Sequence, residues 1–185
     1  MQKMNELFEK RVINQLTGNQ VASVREVVLD SEARQIVALV LTSEHSRDEY
    51  VVRMEQILGM GEFVVIDGTR PLQPSADDSE IVALRQSAQQ ITGKKLMSVT
   101  GEQVGTVGDM YIGRSGVIVG FELKHGLFGG ADPQVFRATD VQTVGKDALI
   151  VRTPQPIALS LLAAEETEVA GPAGVVLVVI GNIRV

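Results

Sequence analysis

The chain has 185 residues, a length that allows one domain or two small ones. With 44% hydrophobic and 22% charged residues, it has the composition of a globular protein that can bury a real core. The net charge of −6 argues against a surface that binds nucleic acid directly, DNA in particular. The absence of cysteine excludes a disulfide scaffold, a thiolate nucleophile and a thiolate zinc site. With only two histidines and no tryptophan, the composition favours a protein that is not an enzyme.

The first ten residues predict no secretory signal. They carry charges where a signal peptide needs an uninterrupted apolar stretch. The longest aliphatic run, Val175–Ile180, is far shorter than the ~20 residues that span a bilayer. We therefore expect a cytoplasmic protein without a transmembrane segment.

Two segments of the chain resemble each other. Residues 17–24 (TGNQVASV) and 100–107 (TGEQVGTV) share five of eight positions at an offset of 83. Further matches follow in the same order and predict two copies of one unit. They pair Ile13 and Leu16 with Leu96 and Val99, Val37–Leu41 with Val119–Leu123, Val52–Arg53 with Phe136–Arg137, Ile57 with Val141, Gly61 with Gly145, and Phe63–Ile66 with Ala148–Val151.

Each copy contains short runs of β-branched and aromatic residues separated by turn residues, a pattern typical of strands. Along the second run we expect Val21, Val27 and Leu29 to share one face. Several short strands with tight turns indicate a small antiparallel barrel, closed so that no edge is left unpaired. In the first copy the predicted strands are Arg11–Asn14, Gln20–Leu29, Ile36–Thr42, Tyr50–Val52 and Phe63–Ile66, with turns at Leu16–Asn19 and Asp30–Ala33.

A short helix is predicted before each barrel. Ser79 is the expected N-cap of a helix over Glu80–Ile91, and the N-terminus has a weaker equivalent. The predicted domains are a first unit over 1–67, a linker over 68–78, a second unit with its leading helix over 79–153, and a C-terminal extension over 154–185. The expected fold is therefore mainly β: two tandem small antiparallel β-barrels, each preceded by a short helix, plus an apolar C-terminal strand. The helical faces consist of Ile81, Leu84, Ala88 and Ile91, and of Met4, Leu7 and Phe8.

The order of these motifs resembles the PRC-barrel family. That family includes the cytoplasmic barrel of the photosynthetic reaction-centre H subunit and the C-terminal domain of ribosome maturation factors. The resemblance implies a non-catalytic barrel that docks onto other proteins, and it transfers no role to individual residues. The matching residues are Thr17, Gly18, Val21, Val24, Ala38–Leu41, Val52, Ile57, Gly61 and Val64–Ile66, then Thr100, Gly101, Val104, Val107, Gly120–Leu123, Phe136, Val141, Gly145 and Leu149–Val151, with the loop Gly126–Gly130.

Three groups of residues could form a metal, phosphate or cation site, and each also has a simpler structural interpretation. His45 and His125 lack the spacing of a metal pair and fit solvated loops. The glycines at 101, 105 and 108 lack a phosphate-binding context and fit turns and strand crossings. The acidic run Asp77–Glu80 fits a helix start better than a cation site. We predict no catalytic residue, no metal ligand and no cofactor.

Two apolar segments are the candidate partner-binding residues. Leu127 and Phe128 lie between glycines at an expected loop tip, where they fold over the barrel mouth or insert into a partner. The second segment must be buried, because exposed aliphatic runs aggregate. Its burial occurs within the chain or by strand addition to another chain. The segment consists of Val175, Val176, Leu177, Val178, Val179 and Ile180.

The predicted function is a non-enzymatic interaction scaffold or adaptor with protein partners and a tendency to form homo-oligomers. Two alternatives remain open from the family resemblance. One is an accessory role in RNA processing or ribosome maturation, with RNA reached only through a ribonucleoprotein. The other is a subunit peripheral to a membrane or photosynthetic complex.

Overall fold

The computed structural model describes residues 1–43, 46, 48–88, 90–124 and 132–169. This part of the chain is mainly β, with fifteen strands and two α-helices. It begins with a two-residue strand, β1 (Gln2–Lys3), followed by a 3-10 turn over Met4–Leu7.

The first sheet follows directly. It is formed by β2 (Arg11–Asn14), β3 (Gln20–Leu29), β4 (Ile36–Thr42), β5 (Glu49–Arg53), β6 (Ile57–Met60), β7 (Val64–Ile66) and β8 (Gln73–Pro74). The strands lie in the order β6-β7-β2-β3-β4-β5-β8, and only β2 and β7 are parallel. The predicted bounds of β2, β3 and β4 are confirmed, whereas β6 and β8 were not predicted.

A second sheet repeats this topology. After α1 (Ser79–Ser87) come β9 (Lys95–Ser98), β10 (Gln103–Ile112), β11 (Ile118–Leu123), β12 (Gln134–Arg137), β13 (Val141–Val144), β14 (Ala148–Val151), β15 (Ile157–Ala158) and α2 (Leu159–Val169). The order β13-β14-β9-β10-β11-β12-β15 matches the first sheet strand for strand, and β9 and β14 are again the parallel pair. The predicted fold of two tandem small β-barrels is confirmed.

Backbone register shows which residues occupy equivalent places. In the parallel pairs, Val12 lies opposite Val64 and Leu96 opposite Leu149. The equivalent of Leu96 is therefore Val12, and the predicted match of Leu96 with Ile13 was wrong by one residue. The error arose because the turn after β2 contains one residue more than the turn after β9.

Each sheet curls, but hydrogen bonds do not close it into a continuous barrel. Within the described residues the end strands of each sheet, β6 with β8 and β13 with β15, are not paired with each other. Pro74 cannot donate to a neighbouring strand, and the chain turns from it into the 3-10 turn Ser75–Asp77. The expectation of a closed barrel without edges was therefore wrong.

The two sheets share one hydrophobic core. A single cluster of buried side chains includes Val12 and Leu39 from the first sheet with Leu96 and Phe121 from the second. In β3 the inward alternation changes at a bulge between Val24 and Glu26. Ala22 and Val24 are buried before the bulge, and the partly buried Val21, Val27 and Leu29 all pack against the same core.

The helices cover the outer faces of the sheets. Asp78, not Ser79, is the N-cap of α1, because its carboxylate accepts a hydrogen bond from the backbone N–H of Ile81 at 3.1 Å. Although α1 precedes the second sheet along the chain, Ile81 packs on Val28, Ala38, Val40 and Val51 of the first sheet. Correspondingly, Leu162 of α2 packs on Tyr111 and Val135 of the second sheet.

The helical predictions were too long at their C-terminal ends. Helix α1 ends at Ser87, whose hydroxyl donates to the carbonyls of its own last turn, and Ile91 lies beyond it in the shared core. At the N-terminus, Met4 and Leu7 are buried, but Phe8 is 42% exposed and does not share their face. The predicted linker and C-terminal extension also contribute to the sheets, because β8 pairs with β5 and β15 pairs with β12.

Candidate docking surfaces

The tips of the β3–β4 and β10–β11 hairpins hold the two sheets together. The backbone N–H of Ile36 donates to the carbonyl of Gly116, and that of Ile118 donates to the carbonyl of Arg34, both at 2.8 Å. Between them, Gln35 and Val117 form an antiparallel bridge. Residues 34–36 and 116–118 are equivalent positions of the two copies, so the contact is reciprocal. The molecule therefore has the interface of a two-fold dimer within one chain.

A cleft of about 310 Å³ lies beside this contact. It separates the tip of the β3–β4 hairpin from Phe121 and the strand β13, and a short 3-10 turn that begins at Ala138 forms one wall. The remaining lining residues are Ser31, Glu32, Ala33, Arg34, Val141, Gln142, Thr143 and Val144.

The small side chain of Ala138 accounts for the opening. Its equivalent in the first copy is Met54, which follows Arg53 as Ala138 follows Arg137. The Met54 side chain packs so closely on Gly116 that a Cβ added there would lie 2.7 Å from the methionine Cε. One of two equivalent positions is thus filled by a thioether side chain, and the other is open.

A smaller cavity of about 80 Å³ continues the cleft. The two share Ser31, Ala33 and Val144, and the smaller one extends past Leu29 to the end of α1. Together they form a groove along one side of the β3–β4 hairpin, which we call the hairpin groove.

The two-fold equivalent of the hairpin groove is occupied by the N-terminal strand. There β1 pairs with β10, with Gln2 opposite Ile112 and Lys3 opposite Tyr111. The Gln2 amide also donates to the carbonyl of Met60 at the end of β6, at 3.2 Å. Among the described residues this is the only strand pairing of one sheet that the other does not repeat. The chain itself therefore shows how an extended segment fills such a groove.

A buried polar cluster fastens β1 to the second sheet. The Lys3 ammonium lies 2.8 Å from a Glu122 carboxylate oxygen, and the Tyr111 hydroxyl donates to the same carboxylate at 2.5 Å. Burial, followed by the hydrogen bond to Glu122, raises the pKa of Tyr111 well above its usual value. In the first copy Val28 and Val40 occupy the positions of Tyr111 and Glu122, so the polar cluster belongs to the second copy alone.

The polar cluster attaches β1 and is separate from the cleft. Asp109 is also buried there and accepts a hydrogen bond from the backbone N–H of Met110 at 2.8 Å. Burial raises the pKa of Asp109, while backbone donors and Lys3 oppose the shift. The lining of the cleft includes none of Lys3, Asp109, Tyr111 and Glu122. Their charges are satisfied by one another and by the backbone.

Apolar side chains are exposed at the same turn in both copies. Leu16 is 64% and Val99 57% exposed, and each precedes a Thr-Gly pair. The glycines of these turns, Gly18 and Gly101, have φ of 68° and 87°, which keeps the turn tight and its preceding residue at the surface. The repeat in the sequence pairs Leu16 with Val99, but their exposure was not predicted.

Most of the predicted site residues lie outside the part of the chain that the structure describes. These are Leu127, Phe128, the two histidines and the whole run Val175–Ile180. The acidic run begins a helix, as predicted, with Asp78 as its cap. Gly105 and Gly108 lie where a Cβ would approach Leu123 and the Lys124 backbone to 2.6 and 3.1 Å, which confirms their interpretation as glycines of crossing strands.

Two negative findings concern the described residues alone. No cluster of three or more His, Asp or Glu side chains suited to a metal ion occurs among them. Neither of the two helices there has the length and apolarity that crossing a membrane requires.

Comparison with known families agrees with the architecture. Residues 86–156, which run from the end of α1 through β14, match the model of the PRC-barrel domain. This match covers most of the second sheet, and the first sheet repeats the strand order of the second. No curated protein matches the chain.

Proposed function

We propose that this protein is a non-enzymatic adaptor that docks onto other proteins in the cytoplasm. The observation that supports the proposal best is the pair of exposed apolar residues, Leu16 and Val99, at equivalent turns of the two copies. The two side chains offer apolar contact points at equivalent places of the two copies, and their burial against a partner would remove apolar surface from water. A PRC-barrel domain generally suggests such an interaction role.

One further docking element belongs to the same proposal. Leu127 and Phe128 are apolar residues between glycines in the sequence and are a candidate contact. The buried carboxylate of Glu122 binds Lys3 of β1 and that of Asp109 accepts a backbone hydrogen bond from Met110, and neither lines the cleft, which favours a protein without a catalytic centre.

Chemical crosslinking of the full chain in cell extract, read out by mass spectrometry, tests the adaptor role. We expect a defined set of partner proteins, and we expect Leu16→Ser with Val99→Ser to deplete that set severalfold. Leu161→Ser is the matched control, because Leu161 is 55% exposed but lies in α2, which packs on the second sheet through Leu162. A set of partners that is unchanged in the double variant would contradict the proposed contact points.

Absorbance separates this function from an RNA-linked one. The chain has no tryptophan and two tyrosines, so its own absorbance near 280 nm is weak. A purified sample with a strong nucleic-acid band at about 260 nm would contradict the adaptor proposal and favour RNA processing.

A further inference from the structure

The hairpin groove is an incomplete copy of a site that an extended segment fills elsewhere in the molecule. In its two-fold equivalent, β1 lies between the edge of β10 and the end of β6. The hairpin groove lies between β3 and the end of β13 in the same way, with Leu29 on one side and Val144 on the other. Beside β3 the place equivalent to β1 is taken by the end of α1, whose Ser87 and Ala88 line the groove near Leu29. The open portion of about 310 Å³ runs along β13.

The strand β13 offers a backbone edge to this open portion. It is the end strand of the second sheet, with a hydrogen-bonded neighbour, β14, on one side only among the described residues. Gln142 and Thr143 are exposed, whereas Val141 is 6% exposed and lies against the core. An open edge beside an apolar cleft accepts a further strand, because its free N–H and C=O groups become paired as side chains are buried.

We propose that Val175–Ile180 of the same chain adds as a strand to the free edge of β13 and places its side chains in the cleft. The six residues are aliphatic and uncharged, and five are β-branched, a composition that favours a strand. Alternate residues of a strand point to one side, so either face presents three aliphatic side chains. The cleft is at the lower end of the range of ligand pockets, roughly 300–1,000 Å³, which suits three such side chains.

The chain that follows α2 is long enough for this segment to reach the cleft. Glu165 of α2 accepts a hydrogen bond from Arg137 Nε at 2.8 Å, and Arg137 immediately precedes Ala138 in the cleft wall. From Glu165 to the end of the helix at Val169 is about 6 Å. Residues 170–174 then span up to about 17 Å when extended, a reach that covers the length of β13. This inference is independent of the proposed adaptor role, because it concerns a contact within one chain.

Hydrogen exchange of the full chain and of a chain that ends at Val169 tests the proposal. We expect the amides of residues 141–144 to exchange at least on the order of tenfold faster in the shortened chain, with β2 and β9 unchanged. A synthetic peptide of residues 173–182, added to the shortened chain, restores the protection. Peptide with Leu177→Asp does not restore it, whereas the control peptide with Asn182→Asp does.

Filling the cleft provides an independent test in the full chain. Ala138→Met introduces the side chain that the first copy carries at this place, so the variant is expected to fold and to lose protection at β13 as the shortened chain does. Equal protection of β13 in the full and shortened chains would overturn the proposal. A full-length dimer that becomes a monomer on shortening would also overturn it, since the segment would then be supplied by a second copy.

Discussion

At the scale of single residues, the two copies differ at positions whose backbone is the same. Glu9 and Gly93 donate backbone hydrogen bonds to Val24 and Val107, each at 2.8 Å, and both have positive φ, 63° and 90°. Such a conformation costs a non-glycine residue about 1–2 kcal/mol. The first copy carries this cost at Glu9, and the second avoids it.

Glu9→Gly is expected to raise the free energy of unfolding by about 0.5–1 kcal/mol. The relief of strain exceeds the entropy that glycine adds to the unfolded chain. The measurement is the midpoint of urea unfolding, with Gly93→Ala as the reverse change, expected to lose about 1 kcal/mol. A loss of stability in Glu9→Gly would show that its side chain makes a contact that outweighs the strain.

The ion pair of Lys3 and Glu122 offers a second comparison between the copies. Lys3→Met leaves Glu122 buried without its cation, and we expect a loss of about 1–3 kcal/mol. Lys3→Met combined with Glu122→Gln removes the buried charge and keeps an acceptor for the Tyr111 hydroxyl, so the double variant recovers much of this loss. Additive losses in the double-mutant cycle, measured by urea unfolding, would contradict a coupled pair.

The raised pKa of Asp109 predicts how the free energy of unfolding depends on pH. Burial raises its pKa in the folded protein above the unfolded value, so its ionised form destabilises the fold near neutral pH. This penalty disappears as the pH falls through the folded pKa. Asp109→Asn should therefore be more stable than the natural protein at about pH 7 and converge with it at about pH 4. The unfolding free energy at several pH values is the measurement, and a constant difference across them would contradict the assignment.

At the scale of elements, one arginine in each copy fastens the following helix to its sheet. Arg53 at the end of β5 donates to both oxygens of Asp78, at 3.0 and 2.9 Å, and to Glu80 at 2.7 Å. Arg137 at the equivalent end of β12 donates to Glu165 of α2. The helices attach at different points, because Asp78 lies at the start of α1 and Glu165 in the second half of α2. The duplicated sheet thus keeps the arginine, while the point of attachment along the helix differs.

Arg53→Met is expected to loosen α1. The substitution removes the contact of Arg53 with both oxygens of Asp78, whose side chain is 9% exposed, and should lower the free energy of unfolding by about 1–2 kcal/mol. It should also speed the hydrogen exchange of amides in Ser79–Ser87. Arg34→Met is the control, because the Arg34 and Glu32 side chains are 60% and 68% exposed, and such pairs contribute little. Equal effects of the two substitutions on unfolding would contradict a specific role for Arg53.

At the scale of the whole molecule, the two copies form one folding unit. They share a core, the reciprocal hairpin contact at Gln35 and Val117, and the strand β1, which precedes the first sheet but pairs with the second. A unit of about 60 residues buries only about 60% of its unfolded surface and is marginal alone. The second copy therefore supplies what a partner subunit would supply in a dimer.

Fragments 1–88 and 89–169 should accordingly depend on each other. We expect neither to unfold cooperatively as a monomer, because each exposes its half of the shared core and a hairpin with unpaired backbone groups. Mixed together, they should form a one-to-one complex with the far-ultraviolet circular dichroism of the joined chain. Light scattering measures the stoichiometry, and two monomers with independent melting transitions would contradict a common core.

Local features of the sequence were sufficient for the strands and for the duplication. Alternating β-branched residues and the Thr-Gly turns predicted β2, β3 and β4 to the residue, because strand conformation and turn type depend on neighbouring side chains. The match between residues 17–24 and 100–107 was visible for the same reason. The helix start at residues 77–80 also followed from local chemistry, although the capping residue was misplaced by one.

Contacts between residues distant in sequence decided everything else. The bridge of Gln35 to Val117, the packing of α1 on the first sheet instead of the second, and the attachment of β1 to β10 each join segments far apart along the chain. In the sequence the only sign of the cleft is the small Ala138 at the position where the first copy has Met54. The shape of the cleft depends on the β3–β4 hairpin that faces it. Short-range preferences determine which elements form, whereas burial of their apolar faces against distant partners determines where those elements lie and which surfaces remain open.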